Sequence, residues 1–117
     1  MRRLVVEPTA DADVRKLRKT SHRNFGPNSA RRYQALLRAA YRLLCENPER
    51  PSVQRREDLP RAPHTFHLRH ARTRGAPPKQ ARHIIVFTFD DATLTILRVL
   101  HDSMDVAQHI ANESEES

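Results

Sequence analysis

Five histidines stand among arginines in the second half of this chain: His64, His67, His70, His83 and His101, with Arg69, Arg82 and Arg98 beside or between them. An imidazole titrates near pH 6.5, so it is the side chain best suited to exchange a proton at neutral pH. Cleavage of a phosphodiester by a neighbouring 2′-hydroxyl needs such a base, cations to stabilise the phosphorane, and an acid for the leaving oxygen. The candidates for that chemistry are His101 as base or acid, with Arg98 and Arg82 as cations. Arg69, Arg72, Arg74 and Lys79 extend the cationic set, which could equally contact phosphates or an acidic protein surface. No aromatic residue is interleaved among them for base stacking.

Each of these residues also has a structural reading. His101 can bond neighbouring backbone or Asp105 to fix the chain end, and Arg98 can form an ion pair with Asp102 or Asp105. On a regular strand Arg98 and Leu100 share one face while Leu97, Val99 and His101 share the other, so Arg98 and His101 need not converge. His64, His67 and His70 recur at intervals of three, which raises the question of a metal. On a strand that interval puts successive residues on opposite faces, and no Cys or acidic cluster completes a ligand set. Neither a metal nor a cofactor is expected.

The elements that must position these residues follow from periodicity. Leu4, Val5 and Val6 make a short β-branched run closed by Pro8, a first strand. Thr9 then caps a helix, with Asp11 and Asp13 in its first turn and Lys16, Arg18, Lys19 and Arg23 toward its end, both groups complementing the dipole. Its apolar stripe is Ala10, Val14, Leu17 and Phe25. Gly26-Pro27 stops that helix and opens the next. From 28 to 47, Ala30, Tyr33, Leu37, Ala40 and Leu44 recur at spacings of three and four, widened by Leu36 and Leu43. Arg31, Arg38 and Arg42 stand off the stripe, and Pro48 ends it. This is an antiparallel helical hairpin.

Residues 49–63 hold Pro51, Pro60 and Pro63 without periodicity and read as a connector. Strand patterns follow at 64–70, at 84–89, where the nearly all-apolar run implies burial on both faces, and at 94–100. Asp90 and Asp91 make the turn of a hairpin between the last two. Residues 71–81 read as a mobile basic loop, 103–111 as a short terminal helix and 111–117 as a flexible acidic tail. The fold class is α+β: an N-terminal strand, a helical hairpin packed on an antiparallel-rich sheet of about four strands, and a short C-terminal helix, in one domain over 1–110.

The 117 residues and 38% hydrophobic content support one modest core. The net charge of +7 asks for an acidic partner. It is polarised: residues 1–89 carry 20 basic and 7 acidic side chains, and residues 90–117 carry Arg98 alone against 7 acidic ones. The lone Cys45 falls inside a helical apolar pattern, a buried thiol in a reducing compartment. No apolar stretch approaches the roughly 20 residues of a membrane helix, and the arginine-led start has too short an apolar run for a signal peptide. A cytoplasmic protein without a membrane association is expected.

The order of elements, the hairpin ending Leu43-Leu44-Cys45-Glu46-Asn47-Pro48, and the run from His83-Ile84-Ile85-Val86-Phe87 through Ile96-Leu97-Arg98-Val99-Leu100-His101-Asp102-Ser103-Met104-Asp105 resemble toxins of the RelE/ParE superfamily, on its ParE-like branch. The resemblance covers residues 4–110. It implies a toxin held in a hetero-oligomer by a cognate ParD-like antitoxin, whose acidic segment wraps it. A groove beside the helices would offer Leu17, Leu36 and Leu43 rimmed by Arg18, Arg31, Arg38 and Arg42, although these arginines also suit solvated helix faces. ParE-like members trap DNA gyrase on cleaved DNA; RelE-like members cut mRNA on the ribosome. The terminal tyrosine common in RelE-like members is missing, so the leading expectation is a non-enzymatic gyrase inhibitor. A ribosome-dependent endoribonuclease and an inactive antitoxin-binding remnant are the alternatives.

Overall fold

The computed structural model describes residues 1–71 and 82–110. Strand β1 (Arg3–Val6) leads into helices α1 (Pro8–Phe25) and α2 (Pro27–Glu46), followed by β2 (Gln54–Arg55), β3 (His64–His67), a 3-10 turn (Leu68–His70), β4 (His83–Phe89) and β5 (Thr93–His101). A terminal helix, α3, spans 106–110. Among the described residues five strands form one sheet in the order β1-β5-β4-β3-β2. β1 runs parallel to β5, and every other pair is antiparallel. The architecture is the expected α+β arrangement, with one strand more than expected. The addition is the two-residue β2, inside the stretch read as a connector. The expected basic loop falls on residues 72–81 and the expected acidic tail on 111–117, both outside the described residues.

The helical hairpin forms as its punctuation dictates. Gly26 sits at φ 86°, ψ 174°, a conformation essentially reserved for glycine, and its N–H bonds the His22 carbonyl while Pro27 opens α2. Tyr33, Leu36, Leu37, Ala40, Leu44 and Cys45 of α2 are buried, and Ala10 and Leu17 of α1 join them against Phe66, Ile85, Phe87, Leu94, Ile96 and Val99 of the sheet. Ala30 and Leu43 are only partly buried, and Phe25 is 53% exposed. The other sheet face carries a second cluster of Leu59, Val86, Leu97, Leu100, Val106 and Ile110. β4 is therefore covered on both faces, and the connector and α3 supply the second cover. Asp105 caps α3 by accepting the Gln108 N–H at 3.2 Å, so this helix starts later than Ser103.

α1 begins one residue before Thr9, at Pro8, whose fixed φ and missing N–H suit a first helical position. The Thr9 hydroxyl, freed from capping, donates to the Leu97 carbonyl at 3.2 Å. That contact belongs to a larger pattern. β1 pairs with β5 only as far as Ile96, leaving the rest of β5 with an open edge. The Glu7 N–H donates to the Ile96 carbonyl, Thr9 to Leu97, and the Val99 N–H to Asp13 Oδ2 at 3.0 Å. The start of α1 thus satisfies the edge groups that a sixth strand would otherwise claim.

β5 also departs from regular alternation. Val86 pairs with Arg98 and Phe87 with Ile96, so Leu97 is an extra residue in the ladder. The bulge turns Leu97 to the side of Leu100, away from Val99 and His101, which corrects the expected face assignment at that one residue. Arg98 pairs with Asp13 of α1, not with Asp102 or Asp105: Nε to Oδ2 at 2.7 Å and Nη2 to Oδ1 at 3.0 Å. The two side chains are only 16% and 17% exposed.

Two stability predictions follow from this geometry. Gly26→Ala meets no atom within 4 Å, so its cost is conformational, about 1–3 kcal/mol in urea unfolding. Asp13→Ala takes a two-pronged carboxylate away from a mostly covered guanidinium and removes the acceptor of an edge N–H, and is expected to cost about 2–4 kcal/mol. Asp13→Ala with Arg98→Met should cost clearly less than the two single changes summed; strict additivity in the double-mutant cycle would remove the coupling.

Candidate functional site

The open end of the sheet and the outer turns of α1 enclose a cleft of about 610 Å³. Leu17 and Phe25 of α1, Val99 and Met104 supply its apolar wall, and Tyr33, Arg82, His83, Arg98, His101 and Ser103 its polar one. Arg82, Arg98 and His101 therefore do meet in one cavity. The strand-face argument fails here because the cleft lies at the edge of β5, where side chains from both faces are within reach. Met104 is 44% exposed, so with Phe25 the apolar wall opens to the surface.

Asp102 organises the polar wall. The Arg69 backbone N–H donates to His67 Nδ1 at 3.0 Å, which leaves the His67 proton on Nε2, and that nitrogen donates to Asp102 Oδ2 at 3.1 Å. Arg82 approaches the same carboxylate, Nη2 to Oδ1 at 3.2 Å, and its carbonyl accepts the Asp102 N–H at 2.8 Å. The hydrogen bond from His67, then that from Arg82, hold the Asp102 carboxyl well below the usual range, at about 2. His101 Nδ1 accepts from the Ser103 N–H at 3.1 Å and from the Ser103 hydroxyl at 2.7 Å. The expected backbone role of His101 is present, with Ser103 in the place of Asp105.

Behind this wall the buried Tyr33 and the half-buried His83 form a pair. The Tyr33 hydroxyl bonds His83 Nδ1, the two rings meet edge to face at 5.4 Å, and the His101 ring abuts His83 at 5.3 Å. Burial first, and the neighbouring His101 second, push His83 down to about 4, so it is neutral at pH 7. Burial raises the Tyr33 phenol, which keeps its proton and serves as donor.

Chemically, the wall is largely self-satisfied. Arg98 is matched by Asp13, Arg82 by Asp102, and the acceptor nitrogen of His101 by Ser103. Arg69 lies exposed on the 3-10 turn outside the cleft, and Arg72, Arg74 and Lys79 lie outside the described residues. The strand expected over 64–70 ends at His67, which sends His70 into that turn, while His64 stacks on Phe87 at 5.6 Å. Of the helical set, Leu17 lines the cleft, Leu43 is partly buried, and Arg18, Arg31, Arg38 and Arg42 are exposed. Leu36 is 2% exposed and belongs to the core, because α2 turns it onto the sheet; it offers no groove surface. Sequence reasoning missed the organising roles of Tyr33, Asp13 and Asp102. A tyrosine in a buried helical stripe was the available signal, since its hydroxyl demands a partner.

The titrations fix a pH dependence. The unfolded chain protonates His83 near 6.5 and the folded chain only near 4, so the unfolded state binds more protons between them and stability falls as pH drops through that window. His64, lowered mainly by burial, adds in the same direction. A second loss comes from Asp102 between 3.8 and about 2. Urea midpoints at pH 7.5 and 5.0 should therefore differ, and His83→Gln should shrink that difference; an unchanged difference would contradict the assignment.

No helix among the described residues is long and apolar enough to cross a membrane. A search of curated proteins finds no match. The family model described as the ParE toxin of type II toxin-antitoxin system, parDE, matches residues 4–106, most of the chain and every element from β1 to β5. The chain belongs to the ParE toxin family of type II toxin–antitoxin systems.

Proposed function

We propose that this toxin acts in the cytoplasm by binding DNA gyrase and stabilising its cleaved-DNA complex, and that it works by contact, without catalysis. One observation carries the reading: each of the three residues best suited to phosphodiester cleavage already has a partner in the chain, Arg98 in a covered pair with Asp13, Arg82 in an exposed one with Asp102, and His101 through Nδ1 with Ser103. A phosphorane would have to compete with a carboxylate for either arginine. The engaged groups instead shape a wall beside an open apolar patch, which suits recognition of a protein surface.

Family membership implies a cognate antitoxin. We assign its acidic segment to the outer face of α2, where Arg31, Arg38 and Arg42 recur on one side and make no ion pair among the described residues. Leu43 and, at the mouth of the cleft, Leu17 give that segment apolar footholds. Arg18 faces a different groove on α1. Leu36 is not part of this footprint.

The endoribonuclease reading keeps one point in its favour, the meeting of Arg82, Arg98 and His101 in one cleft. The two readings separate cleanly. Purified toxin in excess is expected to inhibit gyrase supercoiling and to accumulate linear DNA after protein removal, while a reconstituted translation system keeps its mRNA intact. Untouched supercoiling together with specific mRNA cuts that vanish in His101→Ala would replace the proposal with the nuclease. Induced expression that leaves growth unchanged would replace both with an inactive remnant.

A further inference from the structure

α1 carries a second groove, of about 560 Å³, lined by Arg15, Arg18, Lys19, His22 and Arg23, with Ala30 of α2 at its side. Arg15, Lys19 and Arg23 follow one another at steps of four, and Arg18 and His22 make the adjacent row, so the five share one face of the helix. All five are exposed. Arg15 has a partner, Asp11, in an open contact at 3.3 Å. Among the described residues Arg18, Lys19 and Arg23 have no ion pair. Like charges at this spacing oppose helix formation by about 0.2–0.5 kcal/mol per pair. The helix dipole rewards cations only in the last turn, here His22 and Arg23, and Arg15 has its pair with Asp11, which leaves Arg18 and Lys19 unexplained.

The composition of the groove selects its occupant. A folded protein or an amphipathic segment needs apolar anchors, and among the described residues the only apolar side chain here is Ala30. Single-stranded nucleic acid is held by successive stacking on large aromatic rings, and among the described residues the lining has no Phe, Tyr or Trp, only the single imidazole of His22. A duplex backbone needs only regularly placed cations. From Arg15 to Arg23 the helix rises about 12 Å, against which one strand of a duplex presents roughly three to four phosphates.

We propose that the cationic groove of α1 binds the phosphodiester backbone of duplex DNA, without reading its sequence. The inference extends the gyrase reading, since cleaved DNA is present in that complex, but direct binding needs no gyrase and stands or falls separately. Wild-type protein and a short fluorescent duplex, titrated by anisotropy across a salt series, should give a plot of log affinity against log salt with a slope near −3.6, about 0.9 for each of four cations. Arg18→Glu with Lys19→Glu should lower the slope by about 2 and weaken binding at least tenfold at about 0.1 M salt. Arg3→Glu with Arg55→Glu, the same charge change at the two ends of the sheet, should leave the slope unchanged. Circular dichroism should show both variants folded, because all four positions are exposed. No binding by the wild type, or equal losses in the two double variants, would overturn the proposal. Poly-glutamate binding that is lost with Arg18 and Lys19, in the absence of duplex binding, would also overturn it and assign the groove to an acidic protein. A duplex-binding protein that fails to inhibit gyrase would leave this inference standing and remove the gyrase reading.

Discussion

On the side away from β4, half of β5 has no strand beside it, and much of the molecule follows from how that open edge is closed. Backbone groups left unpaired against packed protein cost free energy comparable to a lost hydrogen bond. Here the first turns of α1 take their place: the Glu7 N–H, the Thr9 hydroxyl and the Asp13 carboxylate each meet one edge group. That requirement presses α1 against the strand edge, and the same carboxylate then collects Arg98 as it leaves the bulge. The charge pair itself is close to neutral in net energy once desolvation is counted. Its effect is positional, because it locks the helix whose outer turns form one side of the cleft.

The helices were legible because their signals are local. Gly26-Pro27 and the three-and-four spacing from Tyr33 to Leu44 specify the hairpin within a window of twenty residues, and α2 runs from Pro27 to Glu46. The last two strands and the Asp90 turn were equally plain, since Asp90 accepts the Ala92 and Thr93 N–H groups at 2.9 and 2.8 Å. What escaped was set by distant partners. The acid that holds Arg98 lies on the first helix, and the acceptor for Tyr33 opens the fourth strand. The bulge at Leu97 leaves no trace in hydrophobic periodicity, as the run is apolar on both sides of it. Leu36 was misjudged for a related reason: a wide helical stripe says which residues are apolar and not which edge of the stripe meets the sheet.

Charge is distributed by the same logic. Cations that touch the sheet end are matched within the fold, Arg98 by Asp13 and Arg82 by Asp102. Cations on the outer faces of the two helices mostly have no ion pair among the described residues, and they carry much of the net +7. A surface of this kind stays soluble and attracts polyanions at long range, more strongly at low salt. The same helix, α1, thus turns its acid-bearing side to the cleft and its cationic row to solvent.

The parallel partnership of β1 and β5 has a kinetic side. Arg3 sits opposite Thr93, so β1 pairs with a strand made 90 residues after it. Closing so long a loop is entropically costly, and topologies rich in such distant pairings fold slowly. At a translation rate of about 5–20 residues per second, β1 waits on the order of 5–20 seconds for its partner. The α1–α2 hairpin, whose contacts are local, can form during that wait. The cleft cannot, because β5 is one of its walls. On the ribosome, then, the helical face that carries Arg31, Arg38 and Arg42 can form seconds before the cleft does.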